Sequence, residues 1–210
     1  MIKVLIADDH AIVREGLKQI LADTPDIVVA GEAVNAAQTL ERVMKEDWGV
    51  VVLDITMPGR SGFDILKDLK AARPGLRVLV QSMHPEDQFA LRALKAGAAG
   101  YINKESAPDE LVKAIRKVNA GGRYVSPALA EKMALRQVSE ETRPPHELLS
   151  HREYQVLLLI ASGKTATQIA TQLGLSVKTV STYRTRILEK MRLETNAQLT
   201  HYAIQRRLVQ

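Results

Sequence analysis

The chain has 210 residues and no cysteine, which removes disulfides and thiolate metal sites from consideration. No apolar run approaches the roughly 18 residues that a membrane span requires. Nor does a basic-then-apolar leader open the sequence, since strand-like residues begin at Ile2; a soluble cytoplasmic protein with no membrane partner is the expectation. Aromatics make up only 4% of residues, too few for the stacking platform that single-stranded RNA recognition uses. No acidic residue occurs between Glu153 and Glu189, a gap that suits a surface facing phosphate. What remains is 46% hydrophobic and 25% charged, a globular composition, and long enough for two small domains with separate cores.

The net charge of +5 is unevenly placed. Residues 1–120 hold 16 Lys/Arg against 17 Asp/Glu, residues 121–147 hold 4 and 4, and residues 148–210 hold 9 against 3. A near-neutral front and a tail of net +6 suggest a polyanion as the tail's partner. A plain solvated basic surface is the competing reading.

The first 120 residues alternate strand and helix. Short, β-branched runs at 3–7, 27–32, 50–53, 77–81 and 99–102 read as strands, and amphipathic helical patterns lie between them. Five βα units predict a doubly wound five-stranded parallel sheet, because right-handed crossovers place helices on both faces. Gly121-Gly122 breaks the fifth helix, and Ser126 followed by Pro127 opens one more, to Val138. Ser139–Glu147 reads as an exposed linker. From Leu148 onward the pattern is helical throughout.

Three acidic residues and one lysine carry the chemistry. Asp8 and Asp9 follow the first strand, Asp54 the third and Lys104 the fifth. In an open parallel sheet the carboxyl ends of strands converge on one crevice. Each residue alone has a bland reading: helix capping for Asp8-Asp9, a turn at Met57-Pro58-Gly59 for Asp54, plain surface for Lys104. Together they call for a cation. Hard carboxylate oxygens favour Mg²⁺ (or Mn²⁺), and the set lacks the His or Cys that zinc prefers. A carboxylate, a divalent ion and an ammonium suit attack on phosphorus. Ser82, ending the fourth strand, would present a hydroxyl to the same crevice. His10 lies next to the acidic pair and could modulate it, although a plain surface histidine is the favoured reading; Trp48 reads as packing near the end of the second helix.

Residues 166–187 carry a second signal. Ala170, Gly174 and Val180 fall at helix-turn-helix spacing: a small residue for close approach, a glycine for the left-handed turn, and a packing residue on the second helix. Ile169, Leu173, Leu175 and Ile187 supply the remaining core, and Ser176 is a ready N-cap. Lys178, Ser181, Thr182 and Thr185 share one helical face, with Arg184, Arg186 and Lys190 beside it. Lys164 and Thr165, ahead of the helix pair, complete the candidate DNA-binding set. Hydroxyls can reach base edges while cations neutralise phosphates.

Asp8-Asp9, Asp54-Ile-Thr-Met-Pro-Gly-Arg-Ser-Gly62, Ser82-Met-His84 and Gly100-Tyr-Ile-Asn-Lys104 resemble the flavodoxin/CheY-like receiver domain of two-component response regulators. Leu149-Ser150-His-Arg-Glu153, Ile160-Ala-Ser-Gly163, Leu173-Gly-Leu-Ser176 and Lys178-Thr-Val180 resemble the four-helix LuxR-type DNA-binding domain. Receiver plus tail is similar to the NarL/FixJ family. The resemblance implies a receiver over 1–120, a linker with one helix over 121–147 and an all-α helix-turn-helix domain over 148–210. It implies that Asp54 accepts phosphate from a histidine kinase, that Asp8, Asp9, Asp54 and the backbone carbonyl of Thr56 hold the metal, and that Lys104 binds the phosphoryl group. Ser82 matches the switch hydroxyl and Tyr101 an aromatic that turns inward with it, while Thr56 and His84 match positions that tune phosphoryl lifetime. A homodimer on double-stranded DNA, with RNA polymerase as a further partner, is the implied active state. Two departures stand out: Glu105 replaces a proline common after the lysine, and Ser181 replaces a DNA-contacting lysine.

An aspartate-nucleophile phosphatase is the competing enzyme class. Such enzymes place an acid/base Asp two residues after the nucleophile, where this chain has Thr56, which cannot transfer protons at neutral pH. An unphosphorylated regulator or an RNA-binding module is a third reading. The intact acidic pocket opposes the first of these and the scarcity of aromatics the second. The expectation is a transcription factor, not an enzyme.

Overall fold

The computed structural model describes residues 1–57, 62–138 and 144–209, with side chains undescribed at 135–138. It divides into two compact units, Met1–Val138 and Ser139–Gln210. Among the described residues, no helix is long and apolar enough to cross a membrane.

In the first unit β1 (Ile2–Ala7), β2 (Ile27–Ala33), β3 (Val50–Asp54), β4 (Val78–Ser82) and β5 (Gly100–Asn103) form one parallel sheet in the order β2-β1-β3-β4-β5. Helices α1 (Ala11–Ala22), α2 (Ala36–Lys45), α3 (Gly62–Ala72), α4 (Glu86–Lys95) and α5 (Pro108–Asn119) alternate with the strands. All five residues of β3 and of β4 are buried, as expected for central strands covered on both faces. Val4, Ile6, Val50, Val52 and Leu79 pack against Leu17 and Leu21 of α1 and Leu111, Ile115 and Val118 of α5. The strand order reverses between β1 and β3, which places a crevice at their carboxyl ends.

Local chemistry fixes both ends of α2 and the start of α3. Asn35 caps α2 by accepting from Gln38 N–H at 2.9 Å. Trp48, 8% exposed, donates from Nε1 to the Arg42 carbonyl near the end of that helix. A side chain at Gly62 would bring its Cβ to 2.2 Å from Ile55 Cα, so only glycine lets α3 begin this close to the end of β3. Met57 is the one described residue of the expected Met57-Pro58-Gly59 turn.

Beyond α5 the chain runs beside β5, where Gly100 and Tyr124 form an isolated parallel bridge. It then enters α6 (Pro127–Val138), with the Ser126 hydroxyl accepting from Leu129 N–H. Residues 139–143 of the expected linker lie outside the described residues.

The second unit contains a short 3₁₀ turn (Pro145–Leu148) and α7 (His151–Ala161), α8 (Ala166–Leu173), α9 (Val177–Met191) and α10 (Asn196–Gln205). Pro145–Glu147, expected as exposed linker, belongs to this turn, and His146 Nδ1 shares a 2.7 Å hydrogen bond with Tyr202 Oη. Tyr154, Val156, Leu157, Ile169, Val180, Ile187 and Leu199 are buried. Leu173 and Leu175, expected in that core, are only half-buried, because both lie at the turn where the helix pair opens to solvent.

Candidate functional sites

The end of β1 is tied down before it reaches its acids. Asp8 N–H donates to the Ala33 carbonyl, and Arg14 Nη1 donates to the Asp8 carbonyl at 2.9 Å. Arg14 is itself held by Glu32, which also takes Lys18. Neither Asp8 nor Asp9 is the N-cap of α1: that residue is His10, which makes no side-chain cap. Asp8 instead turns inward, 2% exposed, where Oδ1 accepts from His10 N–H at 2.8 Å.

Lys104 closes the site. Its N–H donates to the Ser82 carbonyl, which anchors the β5 exit to β4. Its Nζ lies 2.6 Å from Asp8 Oδ2 and 2.7 Å from Asp54 Oδ2. Burial pushes this ammonium down, but the hydrogen bonds and charges of Asp54 and Asp8 outweigh that and hold it above the usual lysine range. The other Asp54 oxygen accepts from Thr56 N–H at 2.8 Å and Thr56 Oγ1 at 2.5 Å. Asp54 is thus 1% exposed and fully partnered.

Asp9 is different. Its Oδ1 is buried and has no hydrogen-bond partner; His10 Nδ1 is 3.2 Å away, but not in hydrogen-bonding geometry. A buried carboxylate oxygen without a donor costs free energy unless a cation meets it. Ligand atoms of Asp8, Asp9, His10 and Asp54 all lie within 4.8 Å of one another. Three carboxylates against one ammonium leave a formal charge of −2, so the residues present fit a divalent cation.

Ser82 and Tyr101 are fully buried beside this site. The Ser82 hydroxyl accepts from His84 N–H at 3.1 Å. Tyr101, implied to turn inward on phosphorylation, is already inside: its Oη donates to the His84 carbonyl at 2.8 Å. Burial pushes the Tyr101 hydroxyl up, so it stays a donor. His84 stacks on Phe89 at 4.3 Å, and burial pushes its imidazole down despite the Asp54 charge. Where relatives often carry proline, Glu105 N–H donates to Asn103 Oδ1 at 2.8 Å, a bond proline could not make.

In the tail, Gly174 takes φ 63° and ψ 40° between α8 and α9, the left-handed conformation the turn requires. Ala170 and Val180 are buried against each other's helices. Ser176 caps α9 by accepting from Thr179 N–H at 3.0 Å. Lys178, Ser181, Thr182 and Thr185 are exposed on one face of α9, and Arg186 is exposed beside them. The three hydroxyls each donate to the carbonyl four residues back. Arg184 Nε donates to Asn196 Oδ1, which steadies it against the start of α10. Thr165 caps α8 in a reciprocal box with Gln168, next to the exposed Lys164.

One member of the expected DNA set, Lys190, has a partner within the protein. Lys190 Nζ sits 2.7 and 2.9 Å from the two oxygens of Glu153. Glu153, 3% exposed, also forms a capping box with Ser150. Burial pushes its carboxyl up, yet Lys190 and Ser150 together hold it below the usual range. The lysine is committed because the buried carboxylate would otherwise lack a counter-charge.

Comparison with known proteins agrees with this geometry. The family described as "Response regulator receiver domain" matches residues 4–116, and "Bacterial regulatory proteins, luxR family" matches residues 147–203. The chain is a NarL/FixJ-family response regulator. It is 38% identical to the response regulator UvrY of Escherichia coli over 205 residues, covering 97% of this chain and 94% of that one. It is 40% identical to the response regulator GacA of Pseudomonas aeruginosa, covering 100% and 98%. Among solved structures it resembles RcsB of Salmonella enterica serovar Typhimurium bound to promoter rprA with the phosphomimetic BeF₃⁻, at TM-score 0.69 and 28% identity, covering 96% and 97%. A further RcsB structure holds two dimers on two parallel DNAs. This response regulator is therefore a transcriptional regulator with a LuxR-type DNA-binding domain, not an enzyme.

Sequence reasoning missed the Glu153–Lys190 pair, although Ser150 followed three residues later by Glu153 is a capping-box pattern. His10, legible in the sequence as a candidate modulator of the acidic pair and more readily as a surface histidine, is 61% exposed, with Nδ1 hydrogen-bonded to Asp8 Oδ1 at 3.2 Å.

Proposed function

We propose that residues 1–120 form a phosphorylation switch, residues 121–147 connect it, and residues 148–210 read duplex DNA under its control in the cytoplasm. Asp54 is the phospho-acceptor. One of its oxygens attacks phosphorus on a kinase phosphohistidine, the P–N bond breaks, and the electron pair leaves with the imidazole. Asp8, Asp9, Asp54 and the Thr56 carbonyl would hold Mg²⁺ or Mn²⁺, which would neutralise charge on the phosphoryl oxygens. The observation that carries this reading is Lys104 Nζ within 2.7 Å of both Asp8 and Asp54, an ammonium brought from 96 and 50 residues away. Thr56 lacks the proton-transfer capacity of a phosphatase acid, which lets the acyl phosphate persist as a signal.

Local contacts supply a route from this site to the exit of the unit. Tyr101 holds the His84 carbonyl through its hydroxyl and the Tyr124 carbonyl through its N–H. Glu86, two residues past His84, accepts from Ser126 N–H at 2.7 Å, and Ser126 caps α6. A shift of Ser82 and the β4–α4 loop on phosphorylation therefore reaches α6 through two bonds.

The DNA contacts are Lys178, Ser181, Thr182, Arg184 and Thr185 on α9, supported by Lys164 and Thr165; Lys190 is reassigned to hold Glu153. One recognition helix covers few base pairs, so two half-sites read by a dimer supply the specificity, as RcsB's dimers on DNA illustrate. The test is incubation with a small phosphodonor, with and without Mg²⁺, followed by titration of duplexes selected from genomic DNA. Phosphorylation is expected to tighten binding roughly 5- to 150-fold, and the fragment 148–210 to bind without it. Equal binding with and without phosphate, across the monomer–dimer transition, refutes the coupled switch.

A further inference from the structure

The exposed face of α9 offers DNA a restricted chemistry. From Val177 to Arg186 the helix holds no Asn, Gln, Asp or Glu. It therefore lacks both the amide that pairs with adenine in bidentate fashion and the carboxylate that accepts from cytosine. Its cations, Lys178, Arg184 and Arg186, can only donate. Acceptors on this face are hydroxyl oxygens. The Thr179 hydroxyl is bonded to that of Ser176, the N-cap, and Tyr183 is half-buried. Ser181, Thr182 and Thr185 remain, all exposed.

A hydroxyl with its proton unengaged donates to guanine or thymine as readily as it accepts from adenine or cytosine, and so distinguishes little. These three have their protons engaged. Ser181 Oγ donates to the Val177 carbonyl at 3.1 Å, Thr182 Oγ1 to the Lys178 carbonyl at 3.0 Å and Thr185 Oγ1 to the Ser181 carbonyl at 3.2 Å. A hydroxyl has one proton and two lone pairs, so each oxygen keeps only acceptor capacity for a ligand. Donating to a base would first break the bond to the helix; accepting breaks nothing. In the major groove the donors are the exocyclic amines, N6 of adenine and N4 of cytosine, whereas guanine and thymine show acceptors and a methyl. Resting on the reading that α9 enters the major groove, we infer that Ser181, Thr182 and Thr185 select amino bases (adenine or cytosine) over keto bases (guanine or thymine) on the strand they touch. Guanine contacts then fall to Lys178. Adenine and cytosine replace one another at a hydroxyl-read position better than guanine or thymine replaces either.

The full-length protein, treated with a small phosphodonor and Mg²⁺, is first used to select duplexes from a random-sequence pool. Each adenine and cytosine on either strand of the selected site is then replaced by its analogue without the exocyclic amine, purine or pyrimidin-2-one. Affinity is measured for the wild type, Ser181→Ala, Thr182→Val and Thr185→Val. Valine keeps the branching of threonine and removes the acceptor. On the analogue at one position the wild type is expected to lose roughly 2- to 12-fold, the worth of one hydrogen bond. The matching variant loses as much on the parent duplex, and the two changes together cost no more than either alone. A variant whose loss persists in full on every amine-lacking duplex overturns the inference and leaves α9 as the reading helix. So do hydroxyl variants that bind the parent duplex like the wild type while Lys178→Ala weakens it. If the wild type enriches no sequence, or Lys178→Ala also changes nothing, the reading of α9 fails and the inference with it.

Discussion

The two candidate sites are assembled in opposite ways. The acidic site takes Asp8 and Asp9 after β1, Asp54 at the end of β3 and Lys104 after β5, and its decisive bond spans 96 residues. The DNA face takes Lys178, Ser181, Thr182 and Thr185 from one helix, where 3.6 residues per turn suffices to align them. One site exists only if a sheet forms; the other needs little beyond a capped helix. Charge follows the same division. In the acidic site it is buried, paired and costly to disturb, whereas on α9 it is exposed and shared with solvent.

That contrast yields expectations that decrease in size from the buried site to the exposed face. Asp54→Asn should abolish acyl-phosphate formation while leaving the DNA affinity of the unphosphorylated protein unchanged, as labelling by a phosphodonor and gel shift would report. Undiminished labelling would relocate the acceptor. Lys104→Ala removes the ammonium between two buried carboxylates and should destabilise the apo protein by about 3–5 kcal/mol, the cost of breaking a buried pair. Denaturant melts with and without Mg²⁺ should show partial recovery by the cation. Asp8 and Asp9 are not equivalent: Asp8 is a partner of Lys104, whereas Asp9 has an unpartnered buried oxygen.

Glu153 brings buried charge into the tail. Its carboxyl is held below its ordinary value, so its contribution is present above the unfolded pKa near 4.5 and lost as pH falls through the lower folded value. Glu153→Gln should cost about 1.5–3 kcal/mol, the range for a charged hydrogen bond, with the penalty shrinking below pH 4.5. A penalty that instead grew with acidification would reverse the sign of the pairing. On α9, Thr182→Ala or Thr185→Ala should relax base preference by about 1 kcal/mol at one position, read by sequence selection on random duplexes. Lys178→Ala should weaken all duplexes alike and lower the log–log salt slope by about 0.9. Equal losses on specific and random DNA from all three would mean that another face enters the groove.

On the last helix, Leu199, Tyr202, Ala203 and Leu208 suggest either an apolar face for a partner or packing within their own domain. Leu199 and Ala203 are fully buried within their own unit, and Tyr202 is bonded to His146. The large apolar residue of α10 that is exposed is Ile204, at 55%. A helical stripe states that a face will be covered; it does not state by what.

What the sequence determined by itself was whatever depends on a few neighbouring residues. The β-branched runs that became β1 to β5, the glycine turn at Gly174, and the caps at Ser126 and Ser176 all follow from φ/ψ preference, periodicity and side-chain reach within one turn. The convergence of strand ends followed from parallel topology, so Asp8, Asp9, Asp54 and Lys104 could be grouped before any coordinates. Tertiary structure alone decided the pairings: Lys104 across Asp8 and Asp54, Lys190 onto Glu153, Tyr101 already inward on His84, and His10 folded over the acids. The physical reason is range. Backbone preferences act over a few bonds, whereas an ion pair or buried hydrogen bond depends on ångström-scale separations between segments, and packing of the whole unit sets those.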